Sequence, residues 1–107
     1  MKKTDEPKHS VVVVPWLKRP MQRFVLKNWT AITIGSRIIS WRALDTVELA
    51  HELAHVEQWK HYGLSFIARY FLESRRAATG GGDRYRDNKF EREAAEAGEK
   101  ARKRESS

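Results

Sequence analysis

The five consecutive residues His51-Glu52-Leu53-Ala54-His55 constrain the fold of this chain more than any other feature. On an α-helix, side chains four residues apart lie one above the other on the same face. Two imidazoles so placed can hold one zinc ion, and the glutamate between them then lies beside the open coordination position. A carboxylate there can take a proton from water that the ion acidifies and later give it to a leaving amine. The motif therefore predicts His51 and His55 as zinc ligands and Glu52 as general base.

Length and composition limit the classes of protein that the chain can belong to. Its 107 residues predict one domain, which we place at residues 11–103 with flexible ends at 1–10 and 104–107. Cysteine is absent, so any metal must be held by His, Asp or Glu. No apolar run is long enough for a membrane span, and residues 11–14 are too short an apolar stretch for a signal peptide. A cytoplasmic protein is the expectation, with signal-independent export as the alternative.

The net charge of +7 comes from basic residues that are concentrated outside the central third of the chain. Such residues are usually solvated surface. Nucleic-acid binding is the lesser alternative, since no recognition motif accompanies the charge. The sequence does not indicate an oligomeric state.

Four segments in the first half of the chain are candidate strands. The β-branched residues 11–14 predict a short buried strand. Residues 21–28 fit a short helix or a strand. Residues 30–34 and 37–41 flank Gly35-Ser36 and predict a β-hairpin.

The second half of the chain has sequence patterns typical of helices. Asp45 is a candidate N-cap, and Glu48 stands at the capping-box position, so a helix is expected over residues 46–62 and should end at Gly63. Its apolar residues spread over most faces, which is typical of a central helix. Further helices are predicted at 64–77 and from 88 or 89 to 102. The expected fold class is α+β, with a short twisted sheet or hairpin packed on the central helix and two further helices.

A third zinc ligand must come from outside the motif. His61 has the spacing of a metzincin ligand, but Gln58 replaces the glycine that would turn the chain. On a continuous helix His61 falls about 80° away from His51 and about 15 Å along the axis. A glutamate of the last helix is the better candidate. We choose Glu91 over its neighbours, because Ala94 three residues later allows close packing against the central helix.

These residues resemble the gluzincin clan of HExxH peptidases, whose third ligand lies in a Glu-x-x-Ala-type helix. The clan often has an aspartate four residues after that ligand, where this chain has Ala95. A narrower likeness is to the minigluzincins and to the small metallopeptidase-like domains found beside extracellular contractile injection systems. It covers roughly residues 29–63 and 84–97, including the strand-strand-HELxHVxQ segment. The resemblance implies a zincin-like fold, a zinc-dependent endopeptidase, and an edge strand that receives an extended peptide substrate. Residues 37–41 are our candidate for that edge.

Gluzincins usually add a Tyr or His that stabilises the oxyanion. Tyr85 is our candidate catalytic residue for this role, with Tyr70 and His61 as alternatives. Tyr70 shares a helix face with Phe66 and therefore also fits core packing. The four tryptophans are expected in the core rather than in the site.

Three other interpretations remain open at this stage. The chain could be an inactive zincin that uses zinc as a structural staple, although such a site would not need Glu52. It could be a basic nucleic-acid-binding module, whose binding would depend steeply on salt and survive chelation. It could also be a latent or delivered peptidase that needs a partner or processing.

Overall fold

A three-stranded sheet forms where β-branched residues are concentrated. The computed structural model describes residues 8–19 and 31–106. Its strands are β1 (Ser10–Val13), β2 (Ala31–Ile34) and β3 (Arg37–Ser40). The order is β1-β3-β2, with β3 parallel to β1 and antiparallel to β2. Our predictions for residues 1–7, 21–28, 29, 30 and 107 lie outside the described residues.

The predicted hairpin is confirmed. Ile34 pairs with Arg37 across the two-residue turn. Gly35 has φ 63°, a left-handed conformation that glycine adopts without a steric penalty.

The prediction that residues 37–41 form the edge of the sheet is wrong. Val11 of β1 pairs with Ile38, so β3 is the central strand and β2 is an edge strand among the described residues. This pairing joins segments far apart in sequence, and the local pattern of residues 37–41 contains no sign of it.

A strand near residues 11–14 is confirmed, but its predicted burial is wrong. β1 begins one residue earlier, and the side chains of Val11, Val12 and Val13 remain 41–45% exposed. The central helix packs mainly against the last helix, and its contacts with the sheet are to β2 and β3, so β1 receives little cover from it.

The central helix, α1, spans Thr46–Tyr62 as predicted. The Asp45 side chain accepts a hydrogen bond from the Glu48 backbone at 2.7 Å, and the Glu48 side chain accepts one from the Asp45 backbone at 3.0 Å. Arg42 donates two hydrogen bonds to the Glu48 carboxylate. Gly63 ends the helix with φ 61°. Side-chain and backbone signals therefore fix both ends of α1.

Two further helices complete the described part of the chain. They are α2 (Ser65–Thr79) and α3 (Lys89–Ser106), and α3 continues four residues beyond the predicted end at residue 102. α3 packs against α1 through small buried residues, namely Ala94, Gly98 and Ala101. A Cβ atom at Gly98 would lie 3.2 Å from Val47 Cγ1, so the two helices approach closely at this point.

The core has two parts. Ala31, Ile38, Leu53 and Val56 fill the space between the sheet and α1. An aromatic cluster joins the three helices, with the Phe66 and Phe90 ring centroids 5.0 Å apart. The predicted α+β class is confirmed, with three helices and a three-stranded sheet among the described residues. None of the helices in this part of the chain is long and apolar enough to cross a membrane.

The tryptophans do not all lie in the core as expected. Trp41 is buried, but Trp16 is 74% exposed. Trp59 is half-buried and lines a cleft, where its indole N–H donates to the Thr33 carbonyl at 3.1 Å.

Candidate metal centre

A cleft of about 410 Å³ is formed between β2 and the helices α1 and α2. Most of its lining is apolar and includes Ile32, Trp59, Phe66, Ile67 and Phe71. The polar residues of the HELAH motif and of the start of α3 lie in the same cleft. An apolar pocket with a few converging polar groups is a typical small-ligand or catalytic site.

The two motif histidines face one carboxylate. His51 Nε2 lies 3.1 Å from Glu91 Oε1, and His55 Nε2 lies 3.0 Å from the same oxygen. The imidazole rings are edge to face with centroids 5.1 Å apart, as expected for residues one helical turn apart. The structure thus brings together all three residues that the sequence suggested as ligands.

Packing of α3 explains why Glu91, rather than a neighbouring glutamate, reaches the histidines. Ala94 is fully buried against α1, and Glu91 lies one turn earlier on the same face with 4% exposure. Glu93, two residues after Glu91, is exposed. The small side chain at position 94 lets the backbone of α3 come close enough for Glu91 to contact both rings.

The donor set and its spacing fit a zinc ion. The ligand atoms of His51, His55 and Glu91 all lie within 4.8 Å of one another. Ligands about 2.0–2.2 Å from a tetrahedral zinc ion stand about 3.3 Å apart, close to the two observed nitrogen–oxygen distances of 3.1 and 3.0 Å. Two imidazoles and one carboxylate leave a fourth position, as in catalytic zinc sites.

Charge interactions within the cluster shift the pKa values of two groups. Burial would raise the pKa of Glu91, but hydrogen bonds with His51 and His55 outweigh it and lower that pKa to about 2. Burial would lower the pKa of His55, but the hydrogen bond and negative charge of Glu91 raise it overall. Glu91 is therefore an anion at neutral pH, as a metal-binding carboxylate must be.

The second oxygen of Glu91 is held by Tyr70. The Tyr70 hydroxyl donates to Glu91 Oε2 at 2.6 Å, while its ring packs against Phe66 and Phe90. The sequence presented core packing and a role in the site as alternatives for Tyr70. In the structure, Tyr70 packs in the core and also contacts the site.

Glu52 lines the cleft beside this cluster. Its Oε1 accepts a hydrogen bond from the Thr33 hydroxyl at 2.7 Å. Burial raises the pKa of Glu52, although the positive charge of His55 and the bond from Thr33 act in the opposite direction. A carboxylate with a raised pKa is better suited to exchange protons near neutral pH than an ordinary one.

Tyr85 also lies in the cleft, at 36% exposure. Burial, the negative charges of Glu91 and Glu52, and a side-chain hydrogen bond with Glu91 raise the pKa of Tyr85. The pKa of Tyr70 is raised by burial and by Glu91. Both phenols are therefore protonated at neutral pH and can donate a hydrogen bond. His61 is exposed and is not part of the cleft lining, in agreement with its rejection as a ligand.

Three residues of the site were not recognised as such from the sequence. The sequence predicts Thr33 only as part of a strand, and it brings in Gln58 and Asn88 through helix signals and through the segments that resemble gluzincins, without a role in the site. Gln58 contacts His55, and Asn88 caps α3 three residues before Glu91. An asparagine before a helix is a recognised capping signal, whereas the partners of Thr33 and Gln58 on other elements have no local signature.

Comparison of the chain with protein families, with curated proteins and with solved structures gives no match. The geometry of this cleft is therefore the basis on which a function can be assigned.

Proposed function

We propose that the chain is a zinc-dependent peptidase with a zincin-like fold, in which His51, His55 and Glu91 hold the ion. The convergence of their three ligand atoms at the wall of a cleft that also contains Glu52 is the observation that carries the proposal. When bound, zinc supplies a Lewis acid that polarises a carbonyl group and makes water more acidic.

Glu52 moves the proton in the proposed reaction. The oxygen of a water molecule bonds to the scissile carbonyl carbon, and Glu52 accepts the proton that this water loses. Glu52 then gives the proton to the amide nitrogen as the carbon–nitrogen bond breaks, so that an amine and a carboxylic acid leave. The hydrogen bond from Thr33, at 2.7 Å, holds the Glu52 side chain toward the cleft.

The two tyrosines have different roles in this scheme. Tyr85 donates a hydrogen bond to the carbonyl oxygen as negative charge develops there. The Tyr70 hydroxyl already donates to Glu91 at 2.6 Å, so Tyr70 keeps that carboxylate oriented toward the histidines.

The lining of the cleft favours a peptide with a large apolar side chain next to the scissile bond. Ile67 and Phe71 line it while remaining 47% and 67% exposed, so an apolar group there would bury surface that is now in contact with water. β2 takes the place of β3 as the strand beside which a peptide backbone would lie, because β2 is an edge strand among the described residues and lines the cleft. The Trp59 indole N–H already donates a hydrogen bond to the Thr33 carbonyl, so strand addition there would involve other backbone groups of β2.

A comparison of four proteins tests this function: the wild type, Glu52→Gln, Glu91→Ala and Glu96→Ala. Glu96 is exposed on the same helix as Glu91 and provides the matched control. Zinc content is measured after dialysis, and cleavage is measured with a library of fluorogenic peptides. We expect one zinc per chain and cleavage for the wild type and Glu96→Ala. Glu52→Gln should keep zinc and lose turnover, and Glu91→Ala should lose both.

Three other outcomes would each change the proposal. Full zinc occupancy in Glu91→Ala would remove Glu91 from the ligand set. Stoichiometric zinc without cleavage by the wild type would replace the enzyme with the structural zinc module. Absence of zinc from the wild type at micromolar free metal would refute the metal site itself.

A further inference from the structure

Gln58 makes a set of contacts that the proposed reaction does not explain. It lies three residues after His55 on α1 and is 7% exposed. Its Oε1 lies 2.8 Å from His55 Nδ1, and its Nε2 lies 3.0 Å from the Phe90 carbonyl and 3.1 Å from Glu93 Oε1. A single amide thus joins a candidate ligand on α1 to the backbone of α3 at the residue before Glu91.

These contacts fix the orientation of the amide. The Phe90 carbonyl can only accept a hydrogen bond, so the amide nitrogen must face it. The amide oxygen then faces His55 and can only accept. His55 Nδ1 therefore carries a proton, and metal binding is directed to Nε2, the nitrogen that faces Glu91.

The hydrogen-bond acceptor that faces Nδ1 of the His55 ring is a neutral amide from the same helix as His55.

We infer that Gln58 is a positioning residue for the proposed zinc site: it holds the proton of His55 on Nδ1 and thereby presents Nε2 to the ion. The inference rests on the proposed function. The same side chain donates to the Phe90 carbonyl. Gln58 therefore also couples the orientation of the His55 ring to the position of Glu91, the third proposed ligand.

Zinc affinity of two variants tests the inference, with a chromophoric chelator as competitor. Gln58→Met has a similar size and removes every hydrogen bond of the amide. The double variant Gln58→Glu/Glu93→Gln restores an acceptor for His55, allows a hydrogen bond between positions 58 and 93 and leaves the net charge unchanged. It removes the donor to the Phe90 carbonyl, so it isolates the contact with His55. Glu57→Gln, at an exposed neighbouring position, is the control.

We expect Gln58→Met to bind zinc about 10- to 100-fold more weakly than the wild type. The double variant should stay within about threefold of the wild type, because its new carboxylate accepts from His55 at least as well as the amide. The control should be unchanged. Thermal melts of the metal-free proteins identify a variant that does not fold. If Gln58→Met is such a variant, the double variant and the spectroscopic measurement decide.

The spectroscopic measurement is the nitrogen NMR spectrum of the His55 ring in the zinc-loaded wild type. It should show a slowly exchanging proton on Nδ1, and this proton should exchange faster in Gln58→Met because its acceptor is gone. The nitrogen chemical shifts of the wild type show which ring nitrogen carries the proton, and a purely structural role of Gln58 would not determine that.

Three results would overturn the inference. Equal zinc affinity of Gln58→Met and the wild type would do so and leave the proposed function intact. A double variant as weak as Gln58→Met, or a proton on Nε2 of His55 in the loaded wild type, would have the same effect. A wild-type protein that binds no zinc would overturn the inference and the proposed function together.

Discussion

Replacing Asn88 by alanine should destabilise the fold and disturb the site through one buried side chain. Asn88 has no exposed surface. Its Nδ2 donates to the Tyr70 carbonyl at 3.1 Å and to Ser74 Oγ at 2.9 Å, and its Oδ1 accepts from the Phe90 backbone at 2.8 Å. The residue therefore caps α3 and attaches its first turn to α2.

The expected loss of unfolding free energy follows from these contacts. Removal of the cap costs about 1 kcal/mol. The Tyr70 carbonyl and the Ser74 hydroxyl lose a buried donor, which adds about 1–3 kcal/mol. For a domain of about 100 residues, a total near 3 kcal/mol lowers the melting temperature by roughly 10–25 °C. Calorimetry or far-UV circular dichroism of the metal-free protein measures it.

Ser74→Ala is the matched control, because it removes one of the three partners and leaves the cap in place. Its expected cost is about 1 kcal/mol. Asn88→Ala should also bind zinc more weakly at temperatures where it is folded, since Glu91 lies in the turn that Asn88 caps. A melting temperature within about 3 °C of the wild type, or a loss no larger than that of Ser74→Ala, would refute this reasoning.

Three further changes test other parts of the structure. Ala94→Leu places extra volume between α1 and α3, so we expect a loss of about 1–3 kcal/mol in urea unfolding; unchanged stability would contradict the close packing there. Glu48→Gln should lower the melting temperature at neutral pH by the equivalent of at most about 1 kcal/mol. Because the hydrogen bonds from Arg42 lower the pKa of Glu48 below its ordinary 4.5, that difference is complete above pH 4.5 and should vanish as the pH falls through the lowered pKa; a constant difference down to pH 2 would contradict it. Phe71→Asp should raise KM roughly tenfold for peptides with a large apolar side chain and leave kcat nearly unchanged; an equal rise for peptides with small side chains would argue against an apolar subsite.

Features fixed by neighbouring residues could be predicted from the sequence. Both ends of α1 follow from Asp45 with Glu48 and from Gly63, whose effects extend over one helical turn. The hairpin follows from Gly35 and Ser36 between two β-branched runs.

Features that depend on distant segments could not be predicted in the same way. The position of β3 in the centre of the sheet depends on β1, which pairs with it from 27 residues away in the Val11–Ile38 register. The exposure of β1 depends on where α1 packs, and the sequence pattern of residues 10–13 does not predict that position.

The candidate site depends on local sequence patterns and also on contacts between distant segments. The HELAH spacing gives two donors on one stripe of a helix, which is a local property. The choice of Glu91 needed the packing of α3, and Ala94 provided a usable sign because a small residue marks close helix contact. The partners that orient the ligands come from other segments: Tyr70 from α2 and Asn88 from the start of α3. No spacing rule connects these residues to the motif.

The packing between the helices indicates how much a zinc ion would add to the stability of the fold. α1 and α3 meet through Ala94, Gly98 and Ala101, and the aromatic contact between Phe66 and Phe90 adds α2 to the same core. No buried side-chain nitrogen or oxygen among the described residues lacks a hydrogen-bond partner. A structural zinc site typically supplies the folding energy that a small core lacks. In this chain, packing brings the three ligand groups together with their hydrogen bonds already satisfied. Under the proposed function, an ion at this position would add less to folding than to the chemistry of the cleft.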